Sequence, residues 1–139
     1  MPHWRADYRS AARAALSAHP RFTGVSVMPA WRGSIDADSL PVVGVVTPDE
    51  RITLPARDQT ERTTLLQVVL KRQGGDDLED ELDLDADAIE AALAAALPPN
   101  TLQCLPDGLS IMIEDRADMA IGTVIVTFRV ASWRPFPAT

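Results

Sequence analysis

From Trp4 to Leu16, apolar residues recur at three- and four-residue spacing: Trp4, Tyr8, Ala11, Ala12, Ala15 and Leu16. That period predicts a helix with one apolar stripe, and Arg5, Arg9 and Arg13 form a basic stripe beside it. Pro20 disfavours helical dihedrals in His19, which sets the expected end. A short strand over Val25–Met28 follows, and Pro29–Leu40 reads as a loop. Val42–Thr47 is a β-branched run suited to a strand. Pro48-Asp49-Glu50 has turn chemistry, so Arg51–Leu54 is expected to pair back as a separate strand. Pro55–Thr60 reads as a polar loop. Arg62–Arg72 predicts a long strand, with Thr64, Leu66, Val68 and Leu70 on one face and Leu65, Gln67, Val69 and Lys71 on the other. Both faces are partly apolar, so this strand is expected to be central and covered on both sides.

The helical period returns at Ile89, Leu93 and Leu97, with Ala92 and Ala96 beside them. Asp87 followed by Glu90 has capping-box-like spacing. This places a helix over Asp87–Leu97, with an irregular or helical lead-in from Leu78 to Leu84, and Pro98-Pro99 ends it. Leu109, Ile111 and Ile113 alternate with polar or flexible residues, a half-buried strand pattern. Asp115–Ala120 reads as a turn. Gly122–Ser132 is the clearest strand, with Val124, Val126, Phe128 and Val130 facing inward. The prolines of residues 133–139 are expected to keep that tail out of a central strand. The order α-β-β-β-α-β-β predicts one α+β domain over residues 1–139, a mainly antiparallel sheet packed with two helices.

The 139 residues, 46% hydrophobic, suit one globular domain with a sizeable core. No run approaches the roughly 20 apolar residues that span a bilayer, and the N-terminus lacks the apolar core of a secretory signal. The single cysteine, Cys104, excludes an intrachain disulfide and suits a reducing compartment. A net charge of -7 argues against a partner that wraps nucleic acid. Placement of charge is more informative than its sum. Residues 1–32 hold five arginines against Asp7 alone, whereas nine acids fall within the fifteen positions from Asp76 to Glu90.

Each chemical reading of that acidic run lacks something. Counted from Asp83 as an EF-hand loop, the sixth position is Ala88 and the twelfth Ala94, so both the turn glycine and the bidentate glutamate are missing. Glycosidase chemistry needs a cleft that separates the pKa values of two carboxylates, and nothing nearby is apolar enough. A divalent-ion site among Asp76, Asp77 and Asp80 stays open, beside the plainer reading of a solvated surface leading into a helix start. His3 and His19 are too few for a zinc site. Cys104 has no orienting base in Gln103-Cys104-Leu105-Pro106-Asp107-Gly108, and Ser110 lies in no nucleophile elbow. No catalytic residue, metal or cofactor is predicted, and no enzyme activity.

Taken together, the N-terminal helix RADYRSAARAAL, the strand LPVVGVVT, the strand RTTLLQVVLKR, the acidic helix entry DDLEDELDLDADAIEAAL and the closing strand GTVIVTFRVASWRP have a characteristic order. In it the chain resembles the tail terminator (minor tail or tail completion) proteins of long-tailed bacteriophages and gene transfer agents. The resemblance covers nearly the whole chain and is one of pattern and order. It implies a non-enzymatic assembly protein that caps the tail tube as a ring, usually a hexamer, and ends tube polymerisation. Implied partners are copies of itself, the tail tube protein and the head–tail connector or stopper, with DNA passing through the lumen without specific binding and no membrane involved. The implied location is the tail of a virion or phage-like particle assembled in the bacterial cytoplasm. A connector or stopper of the same particle, or a small cytoplasmic protein-binding module, are the alternatives. Asp76, Asp77, Glu79, Asp80 and Glu81 are the candidate lumen or inter-subunit acidic surface; Arg5, Arg9 and Arg13 are the candidate basic surface.

Overall fold

The computed structural model describes residues 3–31, 35, 39–97, 101–116 and 119–137. Helix α1, Trp4–Ala18, starts where the His3 imidazole accepts the Arg5 backbone N–H at 3.1 Å. It buries Tyr8, Ala12 and Leu16, the stripe predicted by the three- and four-residue period, and ends at the His19 cap ahead of Pro20. A short 3-10 turn, Pro20–Phe22, buries Phe22. Strand β1, Ser26–Val27, then leads to β2, Val42–Ala56, and β3, Gln59–Gly74. Helix α2, Leu78–Ala94, precedes β4, Thr101–Arg116, and β5, Met119–Pro135. The order is the predicted α-β-β-β-α-β-β, an α+β domain.

One five-stranded sheet runs β1-β2-β3-β5-β4. It is mixed, because β1 pairs with β2 in parallel while the other three pairs are antiparallel. β3 is central, as its two-sided apolar pattern indicates, and the main core lies on one side of the sheet, while Val42 and Val69 are buried on the other. On the core side Val43, Val45, Leu66, Val68, Leu70, Val124, Val126, Phe128 and Val130 meet the apolar faces of both helices. Burying each such side chain contributes about 1.5–3 kcal/mol, which makes this helix-covered layer the main source of stability. Among the described residues the opposite face carries no α-helix. Leu65, Gln67 and Lys71 are half-buried there, and Trp31 packs its indole against Gly44, where any side chain would collide with it.

Several boundaries differ from expectation, for physical reasons. Pro48-Asp49-Glu50 is not a turn. It sits in a register irregularity between Val46 and Asp49, and β2 continues through it to Ala56. Proline is tolerated there because the strand is bulged and open on its outer side. The polar loop expected at Pro55–Thr60 shrinks to a tight reversal between Ala56 and Gln59. The lead-in from Leu78 to Leu84 is helical, so α2 begins at Leu78 and Asp87 lies inside it and is not its cap, because Leu78, Leu82, Ala86, Ile89 and Leu93 extend one buried face. It stops at Ala94, so Leu97 lies beyond it. β5 continues to Pro135 although the tail was expected to leave the sheet; Arg134 and Pro135 still pair with Thr60 and Gln59. Of the three alternating residues predicted on β4, Ile111 packs against the core, while Leu109 and Ile113 are exposed. Half of the predicted Pro29–Leu40 loop, the predicted helix stop at Pro98-Pro99 and residues 117–118 of the predicted turn lie outside the described residues.

Candidate functional site

The acidic run divides in two once folded. Asp76 and Asp77 precede α2 and, with Glu79 and Asp80 in its first turn, are exposed. Four like charges at a helix N-terminus meet the positive end of the backbone dipole, which favours them there. Glu81 belongs to a different environment. It is half-buried and accepts an N–H from Arg21 at 2.7 Å, so its charge is paired within the chain, unlike those of the other four candidate acids.

One turn further on, Asp85 is fully buried. Its Oδ1 accepts from Arg21 Nε at 3.0 Å and from an Arg72 terminal nitrogen at 2.9 Å, and its Oδ2 accepts from Arg72 Nε at 2.8 Å. Arg72 thus grips the carboxylate with two donors, the geometry in which a guanidinium binds most strongly. Burial alone would lower the pKa of Arg21; its hydrogen bonds to Glu81 and Asp85 more than offset this and hold it above the ordinary value. The network ties the turn after α1, the helix α2 and the central strand together. Charge count conceals this residue, but spacing exposes it: Leu78, Leu82, Asp85 and Ile89 follow a 4-3-4 pattern that puts Asp85 on the apolar face.

The basic stripe also divides. Arg5 turns down to Glu50, whose carboxylate is almost wholly buried. Glu50 accepts from Arg5 at 2.7 Å, Arg62 at 3.2 Å, Trp4 Nε1 at 3.1 Å and Thr64 Oγ1 at 2.6 Å. Burial would raise its pKa, yet the Thr64 and Trp4 hydrogen bonds and the charges of Arg5 and Arg62 outweigh that and hold it below the usual carboxylate range. The guanidinium groups of Arg5, Arg62 and Arg134 lie 5.0–5.5 Å from the Trp4 ring, within cation–π reach. Arg134 also donates to Tyr8 Oη at 2.9 Å. Every member is engaged inside the fold. No local pattern marks Glu50, because its partners come from α1 and β3.

Arg9 and Arg13 remain near the surface. Arg9 donates to Thr47 Oγ1 at 2.5 Å, and Arg13 to Ser10 Oγ at 3.4 Å. Together they line a groove of about 450 Å³ with Pro29, Ala30, Trp31 and the β2 segment Val45–Pro48. At the other end of the sheet, β4 exposes Leu105, Leu109, Met112 and Ile113, each 45–57% accessible. The structure therefore does not unite the predicted acids and bases in one pocket. It separates them, with Arg9 and Arg13 beside β2 and the acids on α2, above β4 and β5.

Cys104 packs beside the core, and burial pushes its thiol up to about 11, so it carries a proton at neutral pH. Among the described residues, no group of three or more His, Cys, Asp or Glu side chains is arranged to hold a metal ion, and no helix is long and apolar enough to cross a membrane. The chain matches no protein-family model and no curated protein sequence.

Proposed function

We propose that this protein is a ring-forming subunit that caps a phage-type tail tube, ends its polymerisation and presents a surface to the head connector. One observation carries the reading: among the described residues the sheet is open at both sides of its strand order, and the β4 side exposes Leu105, Leu109, Met112 and Ile113. Exposed apolar side chains beside a free strand invite pairing, and the proline interruptions confine that pairing to short tracts. Two different open edges on one chain favour heterologous contacts, and those close into rings when the rotation permits. The engaged state of Glu50 and Asp85 supports an architectural role, since the buried carboxylates hold helices in place. Exposed acids at the start of α2 suit a DNA conduit, where like charge discourages phosphates from adhering.

Electron micrographs of particles produced without this protein test the reading. Over-long or headless tails are the expected outcome. Filled heads without tails would instead assign it to the connector, and unchanged particles would remove it from the assembly altogether.

A further inference from the structure

Neither end of the strand order is closed. β4 pairs on one side only, and beyond Val43 β2 has no outer partner among the described residues. Both edges are interrupted at one height. Val46, Gln67, Thr127 and Gly108 form one row across the sheet, and Asp49, Leu65, Arg129 and Leu105 form another. Pro48 lies between these rows on β2 and Pro106 between them on β4. Proline offers no N–H, so each edge is broken where the other is.

The layer above the sheet is complementary in charge. One flank of α2 carries Glu81 and Asp85 and is bound to Arg21 on the α1 side. By helical period, the opposite flank presents Glu79, Asp83, Asp87 and Glu90. All but the half-buried Glu90 are exposed. On α1, Arg9 and Arg13 line the groove along the outer side of β2.

We infer that a second copy of this chain occupies that groove. The outer edge of its β4 lies along β2 beyond Val43, and the acidic flank of its α2 faces Arg9 and Arg13. The three antiparallel pairings leave β4 antiparallel to β2. Copies in a ring are related by rotation alone, so strands running along its axis meet at equal height. The two proline interruptions then coincide, and pairing proceeds in two short tracts on either side of them. Leu109 falls level with Val45, which lines the groove on the same face of the sheet. This deepens the capping-ring reading and rests on it for closure of the ring.

Sedimentation velocity on the full chain at low salt, with three species, tests the contact. The wild type should self-associate. Arg9→Glu with Arg13→Glu, and separately Asp83→Arg with Asp87→Arg, should each weaken association by about tenfold or more, because like charges then face one another. An equimolar mixture of the two variants should associate again, since each supplies the charge the other lacks. Circular dichroism of both variants should match the wild type; a variant that unfolds is replaced by Leu109→Lys, an exposed change expected to block association through β4 alone. Variants that associate as well as the wild type, or a mixture that fails to recover, would overturn the contact. So would a wild type monomeric at about millimolar concentration. The capping reading would then still be decided by the particle micrographs, which do not depend on which surfaces meet.

Discussion

The two helices lie on the same face of the sheet, yet they are fastened to it in opposite senses. α1 brings cation and indole, Arg5 and Trp4, down to a carboxylate rooted in the sheet, Glu50. α2 brings the carboxylate, Asp85, to arginines rooted in β3 and in the turn after α1. What each helix leaves outside is opposite as well: Arg9 and Arg13 beside β2 on α1, and mostly acids on α2. Charge in this molecule therefore works at two levels. One set is internal and fixes helix position, and the other is displayed and available to neighbours.

The most severe way to break the internal set is Asp85→Ala. It leaves Arg21 and Arg72 without their shared acceptor, and a loss of about 3–5 kcal/mol is expected in urea unfolding. A loss below about 1 kcal/mol would mean that α2 is held by its apolar face alone. Glu50→Ala should cost less, about 2–3 kcal/mol, because Arg5 can rehydrate at the surface. The same carboxylate gives a sign to the pH dependence. Its pKa is depressed in the folded chain, so its contribution is present above the unfolded value near 4.5 and is lost as pH falls through the folded value. Acid unfolding curves of wild type and Glu50→Ala should converge below that range.

Gly122→Ala probes how α2 sits on β5. The added carbon would meet Leu82 Cδ1 at 2.5 Å and Leu78 at 3.2 Å, so the helix must shift, at about 1–3 kcal/mol. Thermal melts that do not move would show that these leucines repack freely. The smallest effect belongs to the displayed set. Changing Asp76, Asp77, Glu79 and Asp80 to their amides should alter stability by less than about 1 kcal/mol, the scale of dipole interactions at an exposed helix start. A larger loss, read from the same melts, would move these acids into the structural class with Asp85.

Local pattern carried most of the architecture. The alternation on β3 and β5 and the stripe on α1 are period signals that tertiary packing left in place. Pattern leaves the lead-in to α2 open between irregular and helical for a clear cause: nine acids in fifteen positions obscure a buried face that needs only Leu78, Leu82, Ala86, Ile89 and Leu93. Pro48 signals a turn in the sequence because turn chemistry and edge-bulge chemistry use the same residue. Candidate surfaces were harder. Arg5 and Arg9 are indistinguishable along the helix, and what separates them is Glu50, brought 45 positions closer by the sheet. Asp85 could have been found from its spacing; Glu50 has no neighbour in sequence that marks it.

The central claim, that opposite edges of this sheet meet in successive copies, is most directly tested by negative-stain class averages of the assembled protein. Closed rings with a central opening and one repeated head-to-tail contact are expected. A two-fold dimer joined through β4 alone would contradict the account, because it would leave the groove beneath Arg9 and Arg13 empty.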